Sequence, residues 1–311
     1  MPFVTVGREN SGAIRIHYED QGSGAPVVLI HGYPLSGQSW EKQAMALLAA
    51  GRRVIAYDRR GFGASSQPSV GYDYDTFAGD LNVLLNELDL HDVALAGFGM
   101  GTGEVARYLA AYGSRRVSGA AMIAPVLPFL LKTGDNPHGI DRGVFEEIMA
   151  DIIADRPAAM KTLLDRFYNI DVLGGSRVSD QAWQSSFYAA IGAAPAAALA
   201  CVPACMEDFR GDLARIDVPV LVLQGDQDRI LPPEATGNRL PPLLRNSRYI
   251  RIAGGPHAIT WTHADEVNQA LLEFIRRRRQ HYARKGKRCA TGARWPLWRR
   301  LVRRSGRVPR R

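Results

Sequence analysis

A chain of 311 residues can bury a sizeable core, and 46% hydrophobic against 23% charged residues excludes a disordered polypeptide. The formal charge of +8 is not spread over the chain: residues 276–311 hold 16 Lys and Arg with no Asp or Glu, which leaves 1–275 with 23 basic against 31 acidic residues, a net of −8. The overall charge is therefore no evidence for an anionic partner of the fold itself. Three cysteines, Cys201, Cys205 and Cys289, are too few for a disulfide framework. No His or Cys stands at zinc-ligand spacing around them, so no metal site is expected. No stretch reaches the roughly 18 apolar residues of a membrane span, and 1–10 has no leader-like apolar run, which gives a soluble, cytoplasmic expectation.

In chain order, apolar runs that read as buried strands fall at 26–30, 53–57, 93–96, 117–123 and 218–223, with another strand at 248–252. Amphipathic stretches such as 76–88 and 103–112 lie between them. Strands alternating with helices argue βαβ units, a mostly parallel sheet and the α/β class. Between Pro125 and about Arg215 the pattern becomes helical without strands, at 143–154, 158–168, 180–190 and 193–200. An all-helical insert of this length reads as a cap over the carboxyl edge of the sheet. The expected organisation is core at 1–125, helical cap at 126–215, core again at 216–279 with a last helix over 262–278, and a basic tail at 280–311.

Residues 93–103, VALAGFGMGTG, run from a strand through a tight glycine turn into a helix. Glycines two residues either side of the centre are the geometry of a nucleophile elbow, where small residues let the backbone fold sharply. The centre calls for Ser, Cys or Asp, and Gly99 stands there. Two other readings stay open: a tight turn with no site, and a dinucleotide loop through Gly101, Gly103 and Ala106. The second lacks the acidic residue that should come about 20 positions later.

His257 follows the last strand, and Asp226 and Asp228 follow the strand before it. A carboxylate on one exit loop and a histidine on the next suit a pair in which the acid fixes the tautomer and stabilises the imidazolium. The order elbow, acid, histidine is that of α/β-hydrolases. After the first apolar run, His31-Gly32-Tyr33-Pro34 offers a backbone N–H that could join that of Met100 in holding an oxyanion. Apolar residues near this assembly, Tyr33, Phe98, Met100, Phe129, Leu130 and Leu131, suit a small acyl or aromatic ligand, and each could equally be core. Trp261 and His263 are expected to seat the last helix. Asp58-Arg59-Arg60 is expected to brace its own loop through an Asp–Arg pair, and Thr102 has no route to replace a serine.

The stretches HGYPLSG (31–37), YDRRGFGASSQP (57–68), GFGMGTGEVARYL (97–109), VPVLVLQGDQDRILP (218–232) and PHAITWTHADEVNQALLEF (256–274) together resemble the non-haem haloperoxidase, or perhydrolase, branch of the α/β-hydrolases, close to arylesterases. The resemblance covers about 12–275. It implies Asp228 and His257 as the catalytic acid and histidine, Tyr33 and Met100 as oxyanion N–H donors, Gly99 at the position of the family's serine, and no cofactor. Members of this branch form an acyl-enzyme on that serine. Water hydrolyses it, or hydrogen peroxide converts it to a peracid that oxidises halide.

Glycine cannot form the acyl-enzyme. Three expectations result: a hydrolase or perhydrolase whose serine-type activity is weak or lost; a His–Asp general-base lyase or cofactor-free oxygenase; or a non-catalytic ligand-binding protein. The partner in each is a small ester, carboxylic acid or aromatic molecule, and the oligomeric state stays open. The tail, with Trp295, Trp298, Leu301 and Val302 among arginines, reads as a disordered extension. Binding to an anionic membrane or to nucleic acid is the alternative.

Overall fold

The computed structural model describes residues 2–276. The expectations for the basic tail, with Cys289 and the four apolar tail residues, lie outside them. Eight strands are β1 (Phe3–Glu9), β2 (Gly12–Gln21), β3 (Pro26–Ile30), β4 (Arg53–Tyr57), β5 (Val93–Phe98), β6 (Val117–Ile123), β7 (Val220–Gly225) and β8 (Ser247–Ile252). They form one sheet in the order β1-β2-β4-β3-β5-β6-β7-β8, in which β1 and β2 pair antiparallel, as do β2 and β4, and all other neighbours are parallel.

The apolar runs predict β3 to β7 because a sheet covered on both faces needs side chains that bury on both. Every residue of β5, β6 and β7 is buried. The β1–β2 hairpin is not announced by such runs. Both its strands are half exposed and carry charges, and Asn10 turns the chain at φ 51°.

Helices α1 (Glu41–Ala49), α2 (Tyr74–Glu87) and α3 (Met100–Tyr112) alternate with the strands. Asp73 caps α2 by accepting the N–H of Thr76. Between β6 and β7 lie α4 (Arg142–Tyr168), α5 (Ile170–Leu173), α6 (Asp180–Gly192), α7 (Pro195–Ala204) and α8 (Arg210–Leu213). The break expected between 154 and 158 is a kink within α4. Asp155 leaves helical geometry (φ −154°, ψ 90°) ahead of Pro157, and its carboxylate accepts the N–H of Ala158 to restart the helix.

The last helix is divided: α9 (Ile259–Thr262) ends at His263, and α10 covers 264–276. Among the described residues no single helix is long and apolar enough to cross a membrane.

The chain steps from β3 outward to β4 and returns to the other side of β3 as β5. The carboxyl ends of β3 and β5 therefore diverge from a switch point, where open α/β sheets place their sites.

Candidate active site

The elbow is present in full except for its side chain. Gly99 joins β5 to α3 with φ 53° and ψ −120°, a conformation that costs a non-glycine residue about 1–3 kcal/mol. Its N–H donates to Ile123, and its carbonyl accepts both the N–H and the hydroxyl of Thr102. Thr102 also accepts the N–H of Val126 through its hydroxyl, so it braces the turn and points no nucleophile at the site. The flanking glycines serve close approach: a Cβ on Gly97 would come within 2.5 Å of the Gly101 carbonyl, and one on Gly101 within 2.3 Å of the Ile30 carbonyl.

His257 and Asp228 meet. His257 Nδ1 lies 2.8 Å from Asp228 Oδ2, and both side chains are buried. Asp228 Oδ1 accepts the N–H groups of Ile230 and Leu231, and Gln224 Nε2 donates to Oδ2 at 3.1 Å. With the carboxylate held from four sides, Nδ1 carries the proton and Nε2 presents its lone pair. An ideal Cβ on Gly99 would stand 3.1 Å from that Nε2 and 3.8 Å from Gly32 Cα. The third member of a triad would therefore sit within reach, and glycine leaves its place empty of side-chain atoms. Asp226, the other acid of the loop, is engaged elsewhere, accepting the N–H of Gly254 and the guanidinium of Arg251.

The loop after β3 is set by a buried polar chain. His31 Nδ1 donates to the Gly32 carbonyl at 2.9 Å, and Nε2 accepts the N–H of Arg59 at 3.0 Å. Burial, and then the Arg59 charge, push its pKa down to about 3, so the imidazole is neutral and its role is structural. Arg59 donates to the His31 carbonyl and to Glu104 of α3, which also accepts Tyr57. One network thus joins the exits of β3 and β4 to the helix that begins at the elbow. The backbone N–H of Met100, the first residue of α3, has no partner within the helix. That of Tyr33 donates to no acceptor among the described residues.

The Asp–Arg brace expected at 58–60 is not formed. Asp58 takes the N–H groups of Gly37 and Ala64 together with His17, while Arg59 pairs with Glu104 and Arg60 with Asp80. Neighbouring side chains on a strand exit point apart, and each finds its partner elsewhere in the fold.

Of the expected pocket residues, Phe98 forms a wall behind the histidine: its ring centroid is 5.1 Å from that of His257, and Trp40 packs edge-on behind it. Phe167 of α4 completes this wall at 4.7 Å from His257. Tyr33 reaches outward to the Ala198 carbonyl. Phe129 lies under the Arg210 guanidinium, Leu130 and Met100 are buried in the core, and Leu131 packs half-buried against it.

Phe167, Trp40 and Gln224 escape sequence reasoning. Gln224 alone leaves a local signal, as the one polar side chain in an otherwise apolar strand. The end of α4 holds the loops of both Asp228 and His257: the Phe167 carbonyl accepts the N–H of Ala258, and the Asn169 amide donates to the Gln227 carbonyl. Burial raises the Cys201 thiol far above its ordinary pKa and pushes Cys205 up to about 12, so neither offers a thiolate nucleophile.

Known proteins share this fold. The alpha/beta hydrolase fold family matches residues 25–264. The chain is 60% identical, over 88% of its length and all of the relative's, to a Synechocystis protein provisionally named a non-heme chloroperoxidase. It is 34% identical, over 89% of its length and all of the relative's, to the bifunctional esterase/perhydrolase of Acinetobacter calcoaceticus. The crystal structure of a bromoperoxidase from Bacillus anthracis superposes with a TM-score of 0.85 at 43% identity, covering 88% of this chain and 99% of that one. With this sheet, and with relatives that are named as enzymes along nearly their whole length, the chain belongs to the α/β-hydrolase fold family, on its non-haem haloperoxidase branch.

Proposed function

We propose that this protein is a hydrolase of the haloperoxidase and esterase type in which the covalent serine step is absent and a His257–Asp228 pair drives direct attack on a small acyl substrate. The observation that carries this reading is the lone pair of His257 Nε2, fixed from behind by Asp228 and open towards the unfilled side-chain position of Gly99.

In this reading a water molecule, or hydrogen peroxide in its place, stands beside Gly99 and gives a proton to Nε2 as its oxygen adds to the acyl carbon. Asp228 stabilises the imidazolium, and the N–H groups of Tyr33 and Met100 take the developing oxyanion. Collapse of the adduct breaks the ester bond and returns the proton from Nε2 to the leaving alcohol. In a serine triad of the subtilisin type, loss of the serine lowers turnover by about 10⁶ and leaves roughly 10³–10⁴ over the uncatalysed reaction. The expected activity is of that residual order.

Hydrolysis of p-nitrophenyl acetate by the full chain, followed with intact-mass analysis, tests the proposal. Slow turnover without any acyl adduct, lowered by His257→Ala towards the level that the oxyanion donors and binding alone supply, is expected. Turnover unchanged by His257→Ala would overturn it.

A further inference from the structure

A cleft lies outside the Gly99–His257 centre. Its inner part, of about 330 Å³, is walled by Leu35, Trp40, Phe167, Tyr168 and Trp261. Its outer part, of about 470 Å³, is reached by His17, Glu19, Asp58 and Tyr188. The two are continuous, because Glu19, Ser36, Gln38, Ser185 and Ala189 line both. Each part lies within the size range of small-molecule sites, which runs from about 300 to 1,000 Å³. None of Gly99, His257, Tyr33 and Met100 lines the cleft, yet Trp40 and Phe167 form the wall whose other side backs Phe98 and His257.

Three features of the lining define an occupant. Its formal charges are all carboxylates: Glu41 at the inner part, Asp58 at the outer and Glu19 at both, with no Lys or Arg among the described lining residues. Glu41 has no hydrogen-bond or ion-pair partner among the described residues, and Glu19 accepts only a weak contact from Gln21, so two carboxylates are free to receive a donor. Next, His17 is only 7% exposed, and its Nε2 is buried without a hydrogen-bond partner among the described residues. Its Nδ1 lies 3.1 Å from Asp58 Oδ2, which anchors that carboxylate at the outer end of the cleft. Finally, the inner end is aromatic, and one of its rings already takes an ammonium from outside the lining: Lys42 Nζ sits 4.2 Å from the Trp261 ring centroid and donates to the Trp261 carbonyl. Aromatic faces beside carboxylates are the chemistry that recognises organic cations.

We propose that this cleft binds a small organic cation with an apolar body, the body against Trp40, Phe167 and Tyr168 and the cationic head between Glu19 and the His17–Asp58 pair. The site is separate from the acyl-transfer centre and does not depend on its chemistry.

Calorimetric titration of the full chain with phenethylammonium, and with phenylacetate as its matched anion, tests the proposal. Saturable binding of the cation is expected, with phenylacetate at least about tenfold weaker. Ser185 is exposed on α6 and lines both parts of the cleft, so Ser185→Trp fills it without disturbing the core and abolishes binding. Glu19→Gln, also on the surface, weakens it about threefold, the scale of an exposed charge pair. His257→Ala leaves it unchanged. Absence of saturable binding, equal affinity for phenylacetate, or binding that survives Ser185→Trp and disappears in His257→Ala overturns the proposal.

Discussion

His257 Nε2 and Gly99 face one another across the space of a single side chain: a Cβ at position 99 would lie 3.1 Å from the imidazole nitrogen. That separation is a few tenths of an ångström tighter than an ordinary carbon contact, so a serine there needs only a slight retreat of the ring to place its hydroxyl in hydrogen-bond range.

Gly99→Ser should therefore raise p-nitrophenyl acetate turnover, by at least about 10³-fold given what loss of the serine costs in related triads. The same change places a side chain at φ 53°, and the folded state should lose about 1–3 kcal/mol. Steady-state kinetics and thermal unfolding of the one variant check both. A variant that folds and gains no activity would remove the assigned roles of Asp228 and His257.

In the Gly99→Ser background, Asp228→Asn should lower kcat by about 10⁴ while KM changes little, since an amide at this position favours the wrong histidine tautomer without altering substrate contacts. A fall in kcat/KM that came wholly from KM would place Asp228 in binding and not in catalysis.

Arg59 and Glu104 form a pair whose side chains are entirely buried, with Nε and Oε2 2.8 Å apart. Burial pushes the Glu104 carboxyl up even with Arg59 beside it, which shows how much desolvation the pair carries. Glu104→Gln leaves the Arg59 charge uncompensated and should cost about 3–5 kcal/mol, whereas the double change to Met at both positions should cost less. Urea midpoints of the three proteins decide between these outcomes.

His31 gives a pH dependence with a definite sign. Its folded pKa is down at about 3 against an ordinary 6.5, so between those values the unfolded chain takes up a proton that the folded one refuses. Stability should fall as pH drops from about 6.5 towards 3, by at most about 1.4 kcal/mol per pH unit for one proton. Urea denaturation at pH 7, 6 and 5 should show a shallower decline in His31→Asn than in the parent protein. Equal slopes would exclude His31 as the source.

Much of this centre is legible in the sequence because its parts sit at strand ends. A buried parallel strand declares itself by an unbroken apolar run, and the residues just past the run lie on the site side of the sheet. Gly99, Asp228, His257 and the turn at His31 all stand at such positions. The β1–β2 hairpin is not legible in this way, since a half-exposed edge carries charges that break the run. Nor are the partners of Asp58 and Arg59: His17 and Glu104 are brought to them by strand pairing and by the placement of α3, which no local spacing encodes. The aromatic wall is the clearest case. Trp40, Phe98 and Phe167 come from three remote segments, and Phe98, expected as a pocket lining, instead supports the histidine from behind.

The elbow keeps its shape through backbone bonds from Gly99 to Ile123 and Thr102, with no contribution from a side chain at position 99. Architecture and reactivity are therefore separable here. Serine-directed reagents such as fluorophosphonates have nothing to label at this turn, and an ester seated there outlasts the time a serine enzyme would allow it. Under the proposed chemistry, acyl compounds that a serine-bearing hydrolase turns over quickly should persist at this turn long enough to be captured and identified.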